Sequence, residues 1–451
     1  MAANLDNYPF RKIIASDRPR RASNAFTFDL TTDLKFSPKD FISYYLPDWT
    51  ETVYDAMIVA ASIEFSDRAI MRRTSVWGRT IDLEISVHDP KHWNSKLVSE
   101  PLHRALNFLT GDVWQISFVA RKNAHSFGNE PFFDFQQPTK AILAYSNGMD
   151  SNAVRGITEA EIGTELVCVR VGGKDESKRE KKKRPFTNFP YDVRISSIHN
   201  KEPSARSRGF KFATISSIAA YLTNAEKILI PESGQGAIGP SLVTVGNIYP
   251  DFRNHPRFTK MMSDFISALF GRNITFDYPR LWSTKGETLK KFSELPNGNE
   301  WSKTLSCWRG NNWSSVNGKY RQCGACAACM LRRLSVHAAG LKESAETYVA
   351  IDMSSESFEN ALHPDFKRKG RAFTEYAIAG VLHMQHLADM SKPEYERTLK
   401  RHALHLALAL ESPVEQVLKN LTDLIKRHSN EWDQYLNELG ERSFVWNWAR
   451  N

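Results

Sequence analysis

Cysteine is scarce, with five residues in a chain of 451, too few and too unevenly placed for a disulfide framework. Long apolar runs are missing too, and without a stretch of about 18 uncharged apolar residues a membrane-spanning helix is excluded. The opening MAANLDNYPFRK lacks the apolar segment of a secretory leader, so a cytoplasmic protein is expected. No Walker-type Gly-x-x-x-x-Gly-Lys-Ser/Thr is present, which removes P-loop kinases and motors, and no internal repeat is found. Neither sign of charge dominates: 60 Lys+Arg against 51 Asp+Glu leave a net +9. That balance admits an anionic partner (a nucleotide, tRNA or an acidic protein face) without selecting one. Hydrophobic residues at 41% and charged residues at 25% exclude wholesale disorder.

What is there divides into three stretches. Residues 1–136 read as a β-rich N-terminal domain, from NAFTFDLTTDLKF, YDAMIVAASIEF, RTIDLEISV and DVWQISFVARK, with PFFDFQQPTK as the boundary. Residues 139–340 alternate strand and helix. KAILAYS, TELVCVRVG, PYDVRISSI and EKILIPE are strands, FKFATISSIAAYLTN and HPRFTKMMSDFISALFG are helices, and ITFDYPRLW follows. That alternation predicts an α/β fold with a parallel sheet. Residues 341–451 carry helical periodicity and predict a helical C-terminal region. One low-complexity segment, residues 173–184, holds seven Lys/Arg and three Asp/Glu, or +4 of the total. It reads as a solvated loop or as a contact for phosphate or an acidic partner.

The sharpest local feature is AILAYSNGMDSNAV, where an apolar strand runs into Ser146, Asn147, Gly148, Met149, Asp150 and Ser151 and a helix then begins. Such a turn aims backbone N–H groups and a helix N-terminus at an anion. The serines add hydroxyl donors, and Asp150 either stabilises the helix start or holds a Mg2+ ion shared with phosphates. An ordinary capped helix after a strand is the plainer reading.

The four clustered cysteines, Cys307, Cys323, Cys326 and Cys329, are separated by fifteen, two and two residues. Four thiolates match the tetrahedral preference of Zn2+, and a closed set leaves no open position for catalysis. An iron–sulfur cluster is the rival reading, because Cys-x-x-Cys-x-x-Cys occurs there as well. Cys168, alone in LVCVRV, reads as a core residue.

The turn resembles the Ser-Gly-Gly-x-Asp-Ser signature of the PP-loop ATP pyrophosphatases in five of six positions, Asn147 replacing a glycine. Together with the cysteine spacing, residues 139–340 resemble the QueC group, the 7-cyano-7-deazaguanine synthases. Further likeness lies in SARSRGFKFATISSIAA, where Arg206 and Phe210 match and Ser207 replaces an Asn, and in NHPRFTKMMSDF and STKGETLKKF. The resemblance implies a PP-loop (adenine nucleotide alpha hydrolase-like) parallel sheet with a four-cysteine zinc site, and ATP, Mg2+ and Zn2+ as cofactors. It implies adenylation of 7-carboxy-7-deazaguanine by ATP, followed by attack of an amine. Ser146, Gly148, Met149, Asp150 and Ser151 would then hold pyrophosphate, Arg206 would neutralise phosphate or carboxylate, and Lys285 would reach a phosphate. The cysteines would fix the base-binding wall.

The departures matter as much. The chain is about twice the length usual in that group, and IPESGQGAIGPSL lacks the family's Asp-Tyr and Asp-Cys pieces, leaving Glu232 and Gln235 to face a base edge. In size and layout it is most similar to the QueC-like proteins of bacterial anti-phage operons, such as the Qat system and type IV CBASS. That likeness implies an acceptor larger than ammonia: the N-terminus of a partner protein from the same operon. Three other readings stay open: a 7-cyano-7-deazaguanine synthase using ammonia, a tRNA-modifying PP-loop enzyme, and a catalytically decayed binding subunit. Nucleic acid is not favoured, since no basic stripe interleaved with aromatics is visible in the sequence. The scattered histidines and the eleven tryptophans read as packing or surface residues.

Overall fold

The computed structural model describes residues 12–17, 19, 25–35, 50–72, 78–122, 139–171, 186, 189, 191–195, 198, 201–245, 249–310 and 313–450. Its first sheet is built from β1 (Lys12–Ser16), β2 (Ala25–Asp29), β4 (Thr80–Val87) and β5 (Val113–Ala120), in the order β2-β1-β4-β5 with every pair parallel. Between them lie the short β3 (Leu34–Lys35), α1 (Glu51–Ala69) and α2 (Lys96–Thr110). The N-terminal region is therefore α/β rather than simply β-rich. The expected strand YDAMIVAASIEF is the middle of α1, capped by the Thr50 hydroxyl accepting from Val53 N–H. The helix is buried on almost every side, so its apolar residues lack a one-sided stripe and read like a buried strand.

The second sheet follows from β6 (Ala141–Ala144), α3 (Met149–Ile162), β7 (Leu166–Val169), β8 (Asp192–Val193), α4 (Arg208–Leu222), β9 (Lys227–Leu229), α5 (Pro256–Phe270) and β10 (Thr275–Asp277). Its order is β10-β9-β6-β7, all parallel. Among the described residues, PYDVRISSI adds no strand to it. Its strand shrinks to β8, which pairs antiparallel with β3 and sets Leu34 opposite Val193, both in the core beneath the first sheet. The chain runs outward from β6 to β7, then returns to β9 on the other side of β6. The crevice beyond the carboxyl ends of β6 and β9 is thus a topological switch point, where open α/β sheets bind ligands.

One apolar core spans both sheets, from Ile13, Ile63 and Leu83 to Ile142, Phe210, Ile218 and Phe265. In it α1 packs on α4 and α2 on α5. A buried ion lattice stitches the same junction. Arg79 reaches Asp67 and Asp112, each at 2.6 Å, and Arg72 reaches Asp112 at 2.6 Å. Asp67 also accepts the Ser207 N–H at 2.7 Å, fixing the start of α4.

Beyond the second sheet come α6 (Lys285–Ser293), α7 (Ala327–Ala338), α8 (Arg371–Asp389), α9 (Glu396–Leu410), α10 (Val414–Leu439) and α11 (Phe444–Arg450). The expected helical C-terminal region is present. In α10 the buried Val417, Leu421, Leu424, His428, Trp432 and Tyr435 recur at helical spacing and pack on α8 and α9. Among the described residues no helix is long and apolar enough to cross a membrane.

Candidate active site and metal centre

At the switch point lies a cleft of about 430 Å³, lined by the turn after β6, the loop after β9, the start of α4 and residues of α7 and α8. The turn after β6 leads straight into α3, whose N-cap Gly148 supplies no side-chain hydrogen bond. The first N–H groups of α3 are therefore not capped by a side chain, which suits an anion. Ser146 and Ser151 stand together, hydroxyl to hydroxyl at 2.9 Å, and Gly148 N–H donates to Ser146 Oγ at 3.2 Å. Asn147, the departure from the glycine-rich pattern, uses its carbonyl to accept Leu305 N–H at 3.0 Å.

Asp150 Oδ2 pairs with Lys285 Nζ, and both side chains are nearly buried. Asp150 Oδ1 is buried with no hydrogen-bond partner. A buried, unpaired carboxylate oxygen is costly unless a cation or donor meets it, so this atom fits a Mg2+ ion shared with phosphates. Lys285 opens α6, where Thr284 and Glu287 form a capping box. Its backbone N–H donates to Gln235 Oε1 at 2.7 Å, and Gln235 Nε2 donates to His428 Nδ1 at 2.8 Å. His428 Nε2 in turn meets Met384 O at 3.0 Å. Burial pushes His428 down to about 4, so it stays neutral at pH 7. Glu431, one turn further along α10, takes the Thr284 hydroxyl, and burial raises it to about 7. The C-terminal helix thus holds the loop that presents Lys285. Gln235 is spent in this relay rather than facing the cleft with a free amide.

Two guanidiniums line the cleft, Arg208 and Arg253. Although burial opposes its charge, Arg253 is kept cationic by Asp251, which it grips at 2.9 Å through Nε. Burial first, then Arg253, lowers Arg208. Glu232, on the loop after β9, accepts from Asn254 Nδ2 at 2.9 Å. Burial, and then the nearby Asp150, raise its carboxyl to about 8. It can change protonation near neutral pH.

The four expected cysteines come together, with all Sγ atoms within 4.8 Å of one another. The Sγ atoms of Cys323 and Cys329 are 3.8 Å apart, the edge of a tetrahedron whose metal–sulfur bonds are about 2.3 Å. Four sulfurs this close surround one ion, whereas a multi-iron cluster spreads its cysteines over several metals. Backbone N–H groups of Arg309, Cys323 and Cys326 donate to sulfur at 3.2–3.3 Å, and Gly324 takes φ +83, where a side chain would be strained. The residues fit Zn2+. Cys326 is also the N-cap of α7, whose Ala327, Ala328 and Leu331 line the cleft. Beneath, Arg332 is fully buried, paired with Glu343 at 2.8 Å and donating to Thr304 Oγ1 at 2.7 Å. Gly380 of α8 packs directly on this knuckle, where a Cβ would collide with the Ala325 carbonyl.

Of the residues singled out in the sequence, Ser146, Gly148, Met149, Asp150, Ser151 and Lys285 line one cleft. Arg206 does not. It donates to Thr110 O at 2.9 Å and lies over the Tyr249 ring at 4.6 Å, at the junction with the first sheet. Arg206 lies in the turn before α4, whereas Arg208 opens the helix and lines the cleft. Arg253 and Asp251 went unread, although Asp-x-Arg after Tyr249-Pro250 was a visible signal. The basic segment 173–184 lies outside the described residues, as does most of the boundary segment PFFDFQQPTK.

A switch-point cleft with a helix start free of side-chain caps, walled by a four-cysteine knuckle, fits a PP-loop type of α/β fold. Residues 208–340 match the family model QueC, described as queuosine biosynthesis protein QueC. A relative named 7-cyano-7-deazaguanine synthase, from Methanoregula boonei, is 25% identical over 229 residues, covering 46% of this chain and 98% of that protein. The chain therefore contains a QueC-like domain.

Proposed function

We propose that the chain is an ATP-dependent acyl-adenylating enzyme of the cytoplasm. Its acid is 7-carboxy-7-deazaguanine, and its acceptor is an amine, the N-terminus of a partner protein encoded with it in an anti-phage operon. The observation that carries the adenylation is the convergence of an uncapped helix start, the Asp150–Lys285 pair and two arginines in one cleft beside the cysteine knuckle. The name of the Methanoregula relative supports the deazaguanine.

A carboxylate is a poor acyl donor, and AMP is a good leaving group. In the first step a substrate carboxylate oxygen attacks the α-phosphorus, the bond to the β-bridging oxygen breaks, and pyrophosphate leaves with the electron pair. The α3 N-terminus and the Ser146 and Ser151 hydroxyls hold that pyrophosphate, while Lys285, Arg208 and Arg253 offset its charge. Bound at Asp150, Mg2+ would supply further neutralisation. In the second step the amine nitrogen attacks the carbonyl carbon, the bond to AMP breaks, and the nitrogen gives up a proton to a base such as Glu232. An α-amino group, with a pKa of about 7.7–8.0, keeps some neutral nucleophile at pH 7. The zinc site is structural and shapes the wall.

Support for a large acceptor is the chain outside the QueC-like match: an α/β unit before it and three long helices after it. The test incubates the protein with ATP, the carboxylic acid and the operon partner. A partner gaining the mass of the deazaguanine acyl group is expected. Release of free 7-cyano-7-deazaguanine with ammonia, the partner mass unchanged, would support the alternative that the relative's name suggests.

A further inference from the structure

The cleft opens onto a surface that the sequence does not reveal as one. Trp308 and Trp313, 63% and 59% exposed, precede the short hairpin of Ser315–Val316 and Lys319–Tyr320 that lies between Cys307 and Cys323, and Trp308 also lines the cleft. From far along the chain, the segment before α8 comes to lie against the same hairpin. Arg368 stacks on Trp313 at 5.3 Å, Arg309 stacks on Phe373 at 4.1 Å, and Asn317 binds Asp365 at 2.8 Å. This segment presents Lys367, Arg368, Lys369 and Arg371 to solvent. Two acids beside it are engaged, Asp365 by Asn317 and Glu375 by Arg371 at 2.8 Å. The result is a cationic rim with exposed tryptophan at the mouth of the cleft.

We propose that this rim docks the acceptor polypeptide through an acidic segment just downstream of its amino terminus, so that the amine enters past Trp308. The proposal rests on the acyl-transfer reading above. Charge complementarity selects an acidic occupant. Tryptophan and arginine side by side are also the composition of protein-binding hot spots. Single-stranded nucleic acid would use open aromatic faces as stacking platforms. Here Arg368 already covers one face of Trp313, and two rings do not make a track, so the polypeptide is favoured.

The test uses the full-length protein and a short synthetic peptide with a free α-amino group followed by aspartates and glutamates. An amide-substituted peptide (Asn and Gln) and a single-stranded RNA oligonucleotide serve as comparators. Binding is read by fluorescence anisotropy, which needs no turnover, and transfer by mass spectrometry. The acidic peptide is expected to bind about tenfold tighter than its amide counterpart. Arg368→Glu with Lys369→Glu should abolish that preference and raise KM for peptide transfer about tenfold, with kcat and ATP–pyrophosphate exchange unchanged. Equal binding of the two peptides, or indifference to the charge reversal, overturns the proposal. RNA binding tighter than the acidic peptide and lost on reversal overturns it in favour of a nucleic-acid surface. If exchange is absent in the unmodified protein, the acyl-transfer reading fails, and anisotropy still decides the docking.

Discussion

The two four-stranded sheets are built alike, yet the cleft described above lies at the second. Both are all parallel, and both place the first strand inside, the second outside it and the later two on the other flank. What differs is the furniture at their carboxyl ends. In the first sheet the polar groups described there form a network, and a buried atom left without a hydrogen bond, Arg121 Nη1, belongs to a guanidinium. Asp17 takes Arg121 at 2.5 Å, Arg121 reaches Tyr54 Oη at 3.3 Å, and His88 meets Asp55 at 2.6 Å. In the second, β6 runs into a helix start with no side-chain cap, and Asp150 keeps one oxygen unpartnered. A shared topology offers a crevice, and a helix start without a side-chain cap beside an unpaired carboxylate oxygen suits this one to charged ligands.

The first sheet should therefore affect stability without affecting chemistry. Asp112→Ala strips Arg72 and Arg79 of a buried carboxylate and is expected to cost about 3–5 kcal/mol. Turnover per folded molecule should stay within about twofold, because Asp67, Arg72, Arg79 and Asp112 do not line the cleft. Denaturant melts and active-site titration check both; a large loss of turnover would erase the contrast.

His428→Ala should change both quantities. It leaves Gln235 Nε2 and Met384 O short of a partner, for about 1–3 kcal/mol. By loosening the loop under Lys285 it should also lower turnover by about 10–100-fold, the scale of a misplaced catalytic group. Steady-state kinetics beside thermal melts would show it, and stability loss without rate loss would detach the C-terminal helix from the site.

Glu431 gives the same contact a pH signature. With a folded pKa of about 7, above the ordinary 4.5, it binds a proton in the folded state that the unfolded chain has lost. Between about pH 4.5 and 7 its contribution to stability falls as pH rises, by at most about 3 kcal/mol in all. In Glu431→Gln this part of the slope should vanish in melts from pH 5 to pH 8. An unchanged slope would place the titration elsewhere.

The smallest effect belongs to Arg206→Ala. Losing one hydrogen bond to Thr110 O should cost about 1 kcal/mol and leave turnover unchanged, whereas Arg253→Ala should lower it. A turnover loss in Arg206→Ala as large as in Arg253→Ala would restore Arg206 to the cleft.

Local features were legible in the sequence, and distant ones were not. The four cysteines fall within 23 residues, and the strand, turn and helix around Ser146–Ser151 are contiguous, so spacing alone located them. The C-terminal helices announced themselves by periodicity. That α10 returns His428 and Glu431 to the loops at Gln235 and Thr284 depends on packing across some 150 to 190 residues, which periodicity does not encode. The buried α1 imitated a strand because a helix apolar all round has no face to detect. Arg206 lies in the turn before α4 and Arg208 opens the helix, and the two are only two positions apart in the sequence. The tryptophan-bearing basic rim joins residues 308–313 to 367–371, and no window of sequence holds both.

The central claim is that the second sheet's crevice adenylates a carboxylate. The most direct measurement is exchange of labelled pyrophosphate into ATP, with and without 7-carboxy-7-deazaguanine, in the unmodified protein and in folded Asp150→Ala. Acid-dependent exchange that disappears in the variant is predicted. No exchange with the acid present, or exchange indifferent to Asp150→Ala, would contradict the account.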